Sequence, residues 1–234
     1  MTEAPPAYEE FRLRADTVRA RIAQACALAG RNPAEVELLA VTKSHPAEAA
    51  EWAARYGLRA VGENRVQEGI DKRARTTAAV AWELIGHLQS NKARLAARHF
   101  DRIQSVDSAK LLEILDREAG DLGKTLPVLL QVNAGLDPAK SGADPDEAPR
   151  LLAAALGRRN LRIDGLMTIA PLEGGLDIAR RTFAGLREIR DLLSTGSGIA
   201  LPELSMGMSG DMEAAIAEGS TIIRVGSALF GARA

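Results

Sequence analysis

Eight apolar runs of strand length alternate with helical segments along the chain, and this alternation restricts the possible folds more than any other feature. The predicted strands span residues 36–41, 59–62, 82–86, 102–106, 127–132, 162–167, 203–206 and 221–225. Helices are predicted between them at 44–57, 65–76, 90–98, 108–119, 146–157, 175–194 and 210–218. Because no strand–turn–strand hairpin interrupts this order, the strands are expected to run parallel under a cover of helices.

Eight such units in 234 residues predict a closed (β/α)8 barrel at the compact end of its size range. An open doubly wound sheet is the competing fold, but its first strand usually leads into a glycine-rich turn. The first turn here, residues 42–46, reads TKSHP and contains no glycine. Since no linker-like composition divides the chain, we expect residues 1–234 to form a single α/β domain with the TIM-barrel fold.

A further helix is predicted ahead of the first strand, over residues 9–29. Its apolar residues recur near the 3.6-residue period: Leu13, Val18, Ile22 and Leu28. The only cysteine of the chain, Cys26, falls in this helix, and we expect it to fill the core. With one cysteine, neither an internal disulfide nor a thiolate cluster is possible.

The charge balance and the apolar pattern exclude several classes of partner. Thirty basic residues nearly cancel 31 acidic ones, so no overall field attracts nucleic acid or an anionic membrane. No segment approaches the roughly 18 consecutive apolar residues of a membrane span, and the N-terminus lacks the pattern of a signal peptide. The three histidines show no metal-ligand spacing. We expect a cytoplasmic, metal-free monomer with neither nucleic-acid nor membrane partners.

In a barrel of this kind the reactive groups follow the carboxyl ends of the strands. Lys43 ends the first strand, where loss of water lowers a lysine pKa and frees the amine for a Schiff base with an aldehyde. Taken by itself, Lys43 fits better as a charge that solvates a strand end. Asn64 follows the second strand, either as a helix cap or as an amide that faces a ligand.

The loops after the seventh and eighth strands combine glycine with hydroxyl groups, at Ser209 and at Gly226-Ser227. Such loops bind phosphate well, and barrels often place a phosphate there. The alternatives are an N-cap for Ser209 and close packing for Gly226. Arg224 lies on the same side of the last strand as Ile222, so inside the barrel it needs a partner. That partner is either a carboxylate or a ligand.

Five motifs, in order along nearly the whole chain, closely resemble the pyridoxal phosphate homeostasis proteins; they span 41–46, 62–68, 85–92, 204–209 and 224–227. The resemblance implies the barrel of the alanine racemase N-terminal domain, with pyridoxal 5'-phosphate bound covalently to Lys43 as a Schiff base. It implies that Asn64 lies beside the cofactor and that Arg224 faces its pyridine nitrogen. It also implies that three residues hold the phosphate: Ser209, Gly226 and Ser227.

Glu83 departs from the pattern of the family, in which many members have histidine at this position. Because it precedes the end of its strand, we expect no effect on cofactor binding. Lys140, in the long loop after the fifth strand, is expected to be a solvated charge.

Arginine keeps its proton, so it leaves a facing ring nitrogen unprotonated and weakens the ring as an electron sink. The resemblance therefore predicts a carrier that serves intracellular pyridoxal phosphate homeostasis, with apo-enzymes as recipients, and not a strong catalyst. The alternative is a pyridoxal phosphate-dependent amino-acid racemase or related enzyme of low activity. Related racemases take a second acid/base from a tyrosine of an added domain, and neither Tyr8 nor Tyr56 is expected to fill that role.

Overall fold

Residues 7–231 are described by a computed structural model, in which eight parallel strands form a closed barrel in sequence order. The strands are β1 (Glu37–Val41), β2 (Ala60–Glu63), β3 (Ala81–Leu84), β4 (Arg102–Val106), β5 (Leu126–Gln131), β6 (Leu161–Met167), β7 (Glu203–Ser205) and β8 (Ile222–Val225). The last strand, β8, pairs with β1 and closes the barrel. The predicted (β/α)8 barrel is confirmed, and each predicted strand boundary lies within two residues of the observed one.

One helix precedes the barrel and the others follow its strands. They are α1 (Ala7–Leu28), α2 (Glu48–Tyr56), α3 (Val66–Arg73), α4 (Ala93–His99), α5 (Ala109–Asp121), α6 (Ala148–Leu156), α7 (Gly175–Ser197), α8 (Met212–Ala217) and α9 (Ser227–Phe230). The predicted start of α2 at Ser44 is wrong by four residues, because Ser44 adopts a left-handed φ of 62° that a helix does not allow. Within residues 7–231, no helix is long and apolar enough to cross a bilayer.

The strands separate two apolar layers. Side chains that point inward fill the barrel: Leu39, Val41, Ala60, Ile85, Leu129, Met167 and Ile222. Side chains that point outward, such as Ile223 and Val225 on β8, pack under the helices. The period-two alternation of a strand therefore places Arg224 on the inner side with Ile222, as its position in the sequence predicts.

Helix α1 contacts α2, α8 and α9 through a face that includes two of the four predicted apolar residues, Val18 and Ile22. Its buried side chains are Phe11, Ala15, Val18, Ile22, Ala25 and Cys26, which confirms the core position of the cysteine. Leu13 and Leu28 are 54% and 85% exposed, so their assignment to the apolar face is wrong. The face is set by Phe11, which stacks on Phe230 with 5.1 Å between ring centroids. Leu13 lies about 200° around the helix from it.

We predict that the F11A substitution destabilises the protein by about 3–5 kcal/mol, because it removes a buried ring and leaves a cavity under α1. The matched L13A substitution removes an exposed side chain from the same helix, and its cost should stay within about 0.5 kcal/mol. Urea unfolding of both variants measures the difference. Equal losses would show that α1 does not dock through Phe11.

Candidate functional site

A cavity of about 470 Å³ opens at the carboxyl ends of the strands, within the size range of small-ligand sites. All six residues singled out in the sequence as cofactor contacts line it: Lys43, Asn64, Ser209, Arg224, Gly226 and Ser227. They follow or end four different strands, β1, β2, β7 and β8. The barrel brings them together because the carboxyl ends of parallel strands meet on one face.

The backbone on either side of Lys43 is held by a buried ion cluster on β2 and α3. Lys72 Nζ donates hydrogen bonds to the Thr42 carbonyl oxygen at 2.6 Å, to Glu63 Oε1 at 2.8 Å and to Glu68 Oε1 at 2.7 Å. Thr42 Oγ1 donates to Glu63 Oε1 at 2.7 Å. We refer to Thr42, Glu63, Glu68 and Lys72 as the Lys72 cluster.

The Lys72 cluster also supports an unusual backbone conformation at Ser44. A positive φ is rare for residues other than glycine and costs about 1–3 kcal/mol, so it persists only where the surroundings hold it. The Ser44 N–H donates to Glu68 Oε1 at 2.6 Å. Lys43 is thus held between two anchored neighbours, Thr42 and Ser44, and its side chain lines the cavity.

The two carboxylates of the Lys72 cluster differ in environment. Burial raises the pKa of Glu63 above its usual value, even though Lys72 and Thr42 donate hydrogen bonds to it. Burial also acts to raise the pKa of Glu68, but hydrogen bonds from Lys72 and from the Ser44 N–H outweigh it and lower that pKa. The sequence analysis missed this cluster. The available signal was the four-residue spacing of Glu68 and Lys72 on a predicted helix.

Removal of the Lys72 ammonium group should lower the stability of the protein, because it leaves the carboxylates of Glu63 and Glu68 without their cation. We predict that K72M destabilises the protein by about 3–5 kcal/mol, the cost of breaking a buried ion pair. The control K110M removes an exposed lysine from α5 and should change stability by less than about 0.5 kcal/mol. Chemical denaturation tests both, and a K72M variant as stable as K110M would contradict this account of the β1–α2 turn.

Arg224 is 4% exposed at the inner wall of the cavity. Its Nη1 donates to Ser205 Oγ and its Nη2 to the Thr168 carbonyl oxygen, both at 2.8 Å. These acceptors are neutral, and among residues 7–231 no carboxylate pairs directly with this guanidinium. Burial lowers the pKa of Arg224 to about 10, while Asp211 acts in the opposite direction. Arg224 therefore stays a cation at neutral pH and faces the cavity.

Ser209, Gly226 and Ser227 lie together at one side of the cavity. Ser209 Oγ accepts a hydrogen bond from the Ala228 N–H at 3.4 Å and is 3.3 Å from Ser227 Oγ. A Cβ atom added at Gly226 would meet its nearest atom, the Val41 carbonyl oxygen, at 3.4 Å, which is ordinary contact. Packing within the chain therefore does not require glycine at position 226. Without a Cβ atom, the backbone at Gly226 is open to close approach from the cavity.

Asn64 does not cap the following helix, since α3 begins at Val66 with Arg65 as its N-cap. The helix-cap alternative for Asn64 is therefore wrong. Its backbone is fixed by the close approach of the next loop, because a Cβ atom at Gly86 would lie 2.1 Å from the Asn64 carbonyl oxygen. Asn64 is half-buried and lines the cavity.

Other side chains complete the lining. Lys140, expected to be a solvated loop charge, is half-buried and lines the cavity. His87 is exposed at the rim, and its Nδ1 lies 3.6 Å from Asp107 Oδ2. The apolar walls come from Val41, Ile85, Ile169 and Met208. Among the described residues, no group of three or more potential side-chain ligands is arranged to hold a metal ion.

This lining suits a small, flat, anionic ligand. The cavity offers apolar walls for a ring, hydroxyl and backbone groups at Ser209 and Ser227 for an anion, and two basic side chains, Lys43 and Arg224. The residues present therefore fit a phosphorylated aromatic aldehyde such as pyridoxal phosphate.

Comparison with known proteins agrees with this geometry. The chain matches the family model described as alanine racemase, N-terminal domain, over residues 13–234. A pyridoxal phosphate homeostasis protein of Pseudomonas aeruginosa is 45% identical over 217 residues, covering 92% of this chain and 93% of that protein. The chain belongs to the pyridoxal phosphate homeostasis protein family. The resemblance that the sequence motifs suggested is confirmed.

Two solved structures are similar in fold to this chain. PipY of Synechococcus elongatus PCC7942, solved with PLP bound, is 45% identical, covers 90% of this chain and 100% of that chain, and superposes with a TM-score of 0.80. An alanine racemase of Clostridium difficile 630 is 14% identical, with a TM-score of 0.76, and covers 96% of this chain and 57% of that chain. The second likeness shows the common barrel fold.

Proposed function

We propose that this protein holds pyridoxal 5'-phosphate as a Schiff base on Lys43 and serves intracellular homeostasis of the cofactor without strong catalysis of its own. The observation that carries the proposal is the convergence of Lys43, Arg224 and the Ser209–Ser227 hydroxyl pair on one cavity. Its recipients are apo forms of pyridoxal phosphate enzymes in the cytoplasm. The near relatives named for this role, and the one solved with PLP bound, support it.

Each residue has a distinct task in this proposal. Lys43 would hold the cofactor through its Nζ as a Schiff base with the aldehyde, with release of one water molecule. Ser209, Ser227 and the backbone at Gly226 hold the phosphate, while Asn64 lies beside the ring. The bound cofactor supplies an electrophilic imine and a ring that absorbs visible light.

Arg224 limits the chemistry that this site supports. Its guanidinium donates hydrogen bonds only, and with a pKa of about 10 it remains protonated at neutral pH. A ring nitrogen that faces it accepts a hydrogen bond and gains no proton. Such a ring withdraws electrons weakly, so proton abstraction from a bound amino acid is slow. Holding and releasing the cofactor is the function that this arrangement favours.

The alternative, an amino-acid racemase of low activity, is favoured by the common fold with alanine racemase. A racemase needs a second acid/base opposite the lysine. Tyr56 OH instead donates to Asp16 Oδ1 at 2.7 Å, against α1, and Tyr8 lies under the Arg55 guanidinium at 3.8 Å from its ring centroid. Neither tyrosine is among the residues that line the cavity.

The K43A substitution tests the covalent site. Wild-type protein incubated with pyridoxal phosphate should gain a visible absorption band, and K43A should lose it because no amine remains at the end of β1. K140A is the matched control, since it removes another lysine of the same cavity and should keep the band. A K43A protein with the wild-type spectrum, or a K140A protein without the band, would contradict the assignment.

Amino-acid turnover separates the two candidate functions. We predict that cofactor-loaded wild-type protein racemises alanine no faster than free pyridoxal phosphate at the same concentration, because Arg224 weakens the ring and no tyrosine reaches the site. Chiral chromatography measures the two enantiomers over time. Turnover well above the free cofactor, and lost in K43A, would establish the racemase alternative.

A further inference from the structure

A continuous series of buried side chains connects Arg224 at the cavity with the opposite end of the barrel. Ser205 Oγ accepts from Arg224 Nη1 at 2.8 Å and donates to Gln104 Oε1 at 2.5 Å. Gln104 Nε2 donates to Glu83 Oε2 at 2.5 Å, and Glu83 Oε1 pairs with Arg102 Nη2 at 2.8 Å. We call these five residues the interior chain.

Every hydrogen bond of the interior chain has a fixed direction. Arginine only donates, so Ser205 Oγ accepts from Arg224 and must direct its own proton to another acceptor. That acceptor is the carbonyl oxygen of the Gln104 amide, which turns the amide NH₂ towards Glu83. The series runs from a cation through two neutral groups to a carboxylate, and hydrogen bonds aligned in this way polarise one another.

The interior chain is one of two supports of Arg224, and the other is the Thr168 carbonyl oxygen, which accepts from Nη2. Ser205 and Gln104 are fully buried and Glu83 is nearly so, beside the apolar side chains that fill the barrel. Three carboxylates, Glu37, Glu83 and Glu203, lie within 4.0 Å of Arg102 at the base of the barrel. Arg102 and these carboxylates form a charged group at the base, and Glu83 links it to the rest of the interior chain.

We infer that Gln104 and Glu83 are positioning residues: through Ser205, they fix the plane of the Arg224 guanidinium at the cavity and maintain its strength as a donor to the ligand. Neither residue lines the cavity itself. The part of this inference that concerns the ligand rests on the proposed function. It also revises the expectation that Glu83 has no effect on binding, because Glu83 ends the series on which Arg224 depends.

The sharpest variants are Q104M, which keeps the length of the side chain but neither accepts from Ser205 nor donates to Glu83, and E83Q, which removes the charge and replaces one of the two accepting oxygens of Glu83 with an NH₂ donor. S105A is the matched control. Ser105 is equally buried on the same strand and makes no hydrogen bond through Oγ within the described chain. R224Q supplies the reference for complete loss of the cation.

Two readouts separate positioning from a general loss of stability. In the cofactor-loaded proteins, Q104M and E83Q should shift the visible absorption maximum in the same direction as R224Q, whereas S105A keeps the wild-type maximum. In the cofactor-free proteins, the restrained ¹⁵N guanidinium signals of Arg224, assigned with R224Q, should be lost in Q104M and kept in S105A.

Wild-type Arg224 signals in both Q104M and E83Q would overturn the inference, as would equal changes in S105A and Q104M. If the wild-type protein gains no visible band at all, the proposed function fails. The Arg224 signals of the cofactor-free protein still decide whether Gln104 and Glu83 position the guanidinium.

Discussion

The pairing of the first strand with the last closes the barrel, and the same pairing assembles the candidate site. The register places Leu39 opposite Arg224 and Ala40 opposite Val225. The chain therefore leaves β1 at Lys43 next to the point where it leaves β8 at Gly226. Lys43 and Gly226 are far apart in the sequence and become neighbours because backbone hydrogen bonds pair β1 with β8. A slip of one residue would turn Arg224 to the outer layer and remove it from the cavity.

Buried charge is the main cost of this arrangement. Arg224 and Lys72 both sit where an unpaired cation would be expensive, and the fold satisfies them differently. Lys72 meets two carboxylates directly, whereas Arg224 meets neutral oxygens and reaches a carboxylate only through Ser205 and Gln104. The first arrangement fixes the turn that carries Lys43. The second arrangement gives Arg224 two neutral acceptors and, among residues 7–231, no direct carboxylate partner.

The barrel and the positions of the site residues followed from the sequence because both depend on order along the chain. Alternating strands and helices require parallel strands, and parallel strands collect their carboxyl ends on one face. The features that the sequence did not predict depend on local backbone conformation or on tertiary contacts. The start of α2 depends on the left-handed φ of Ser44, and the buried face of α1 on the stacking of Phe11 with Phe230. Glu68 shares a helix with Lys72, but Glu63 and both partners of Gln104 lie on other strands, so periodicity within one element does not reveal them.

The most direct test of this account is the site of covalent attachment. Wild-type protein loaded with pyridoxal phosphate is reduced with borohydride, digested and mapped by mass spectrometry. The account predicts one modified residue, Lys43, with the phosphopyridoxyl group on its Nζ. Modification at Lys140 in place of Lys43, or spread over the exposed lysines, would contradict it.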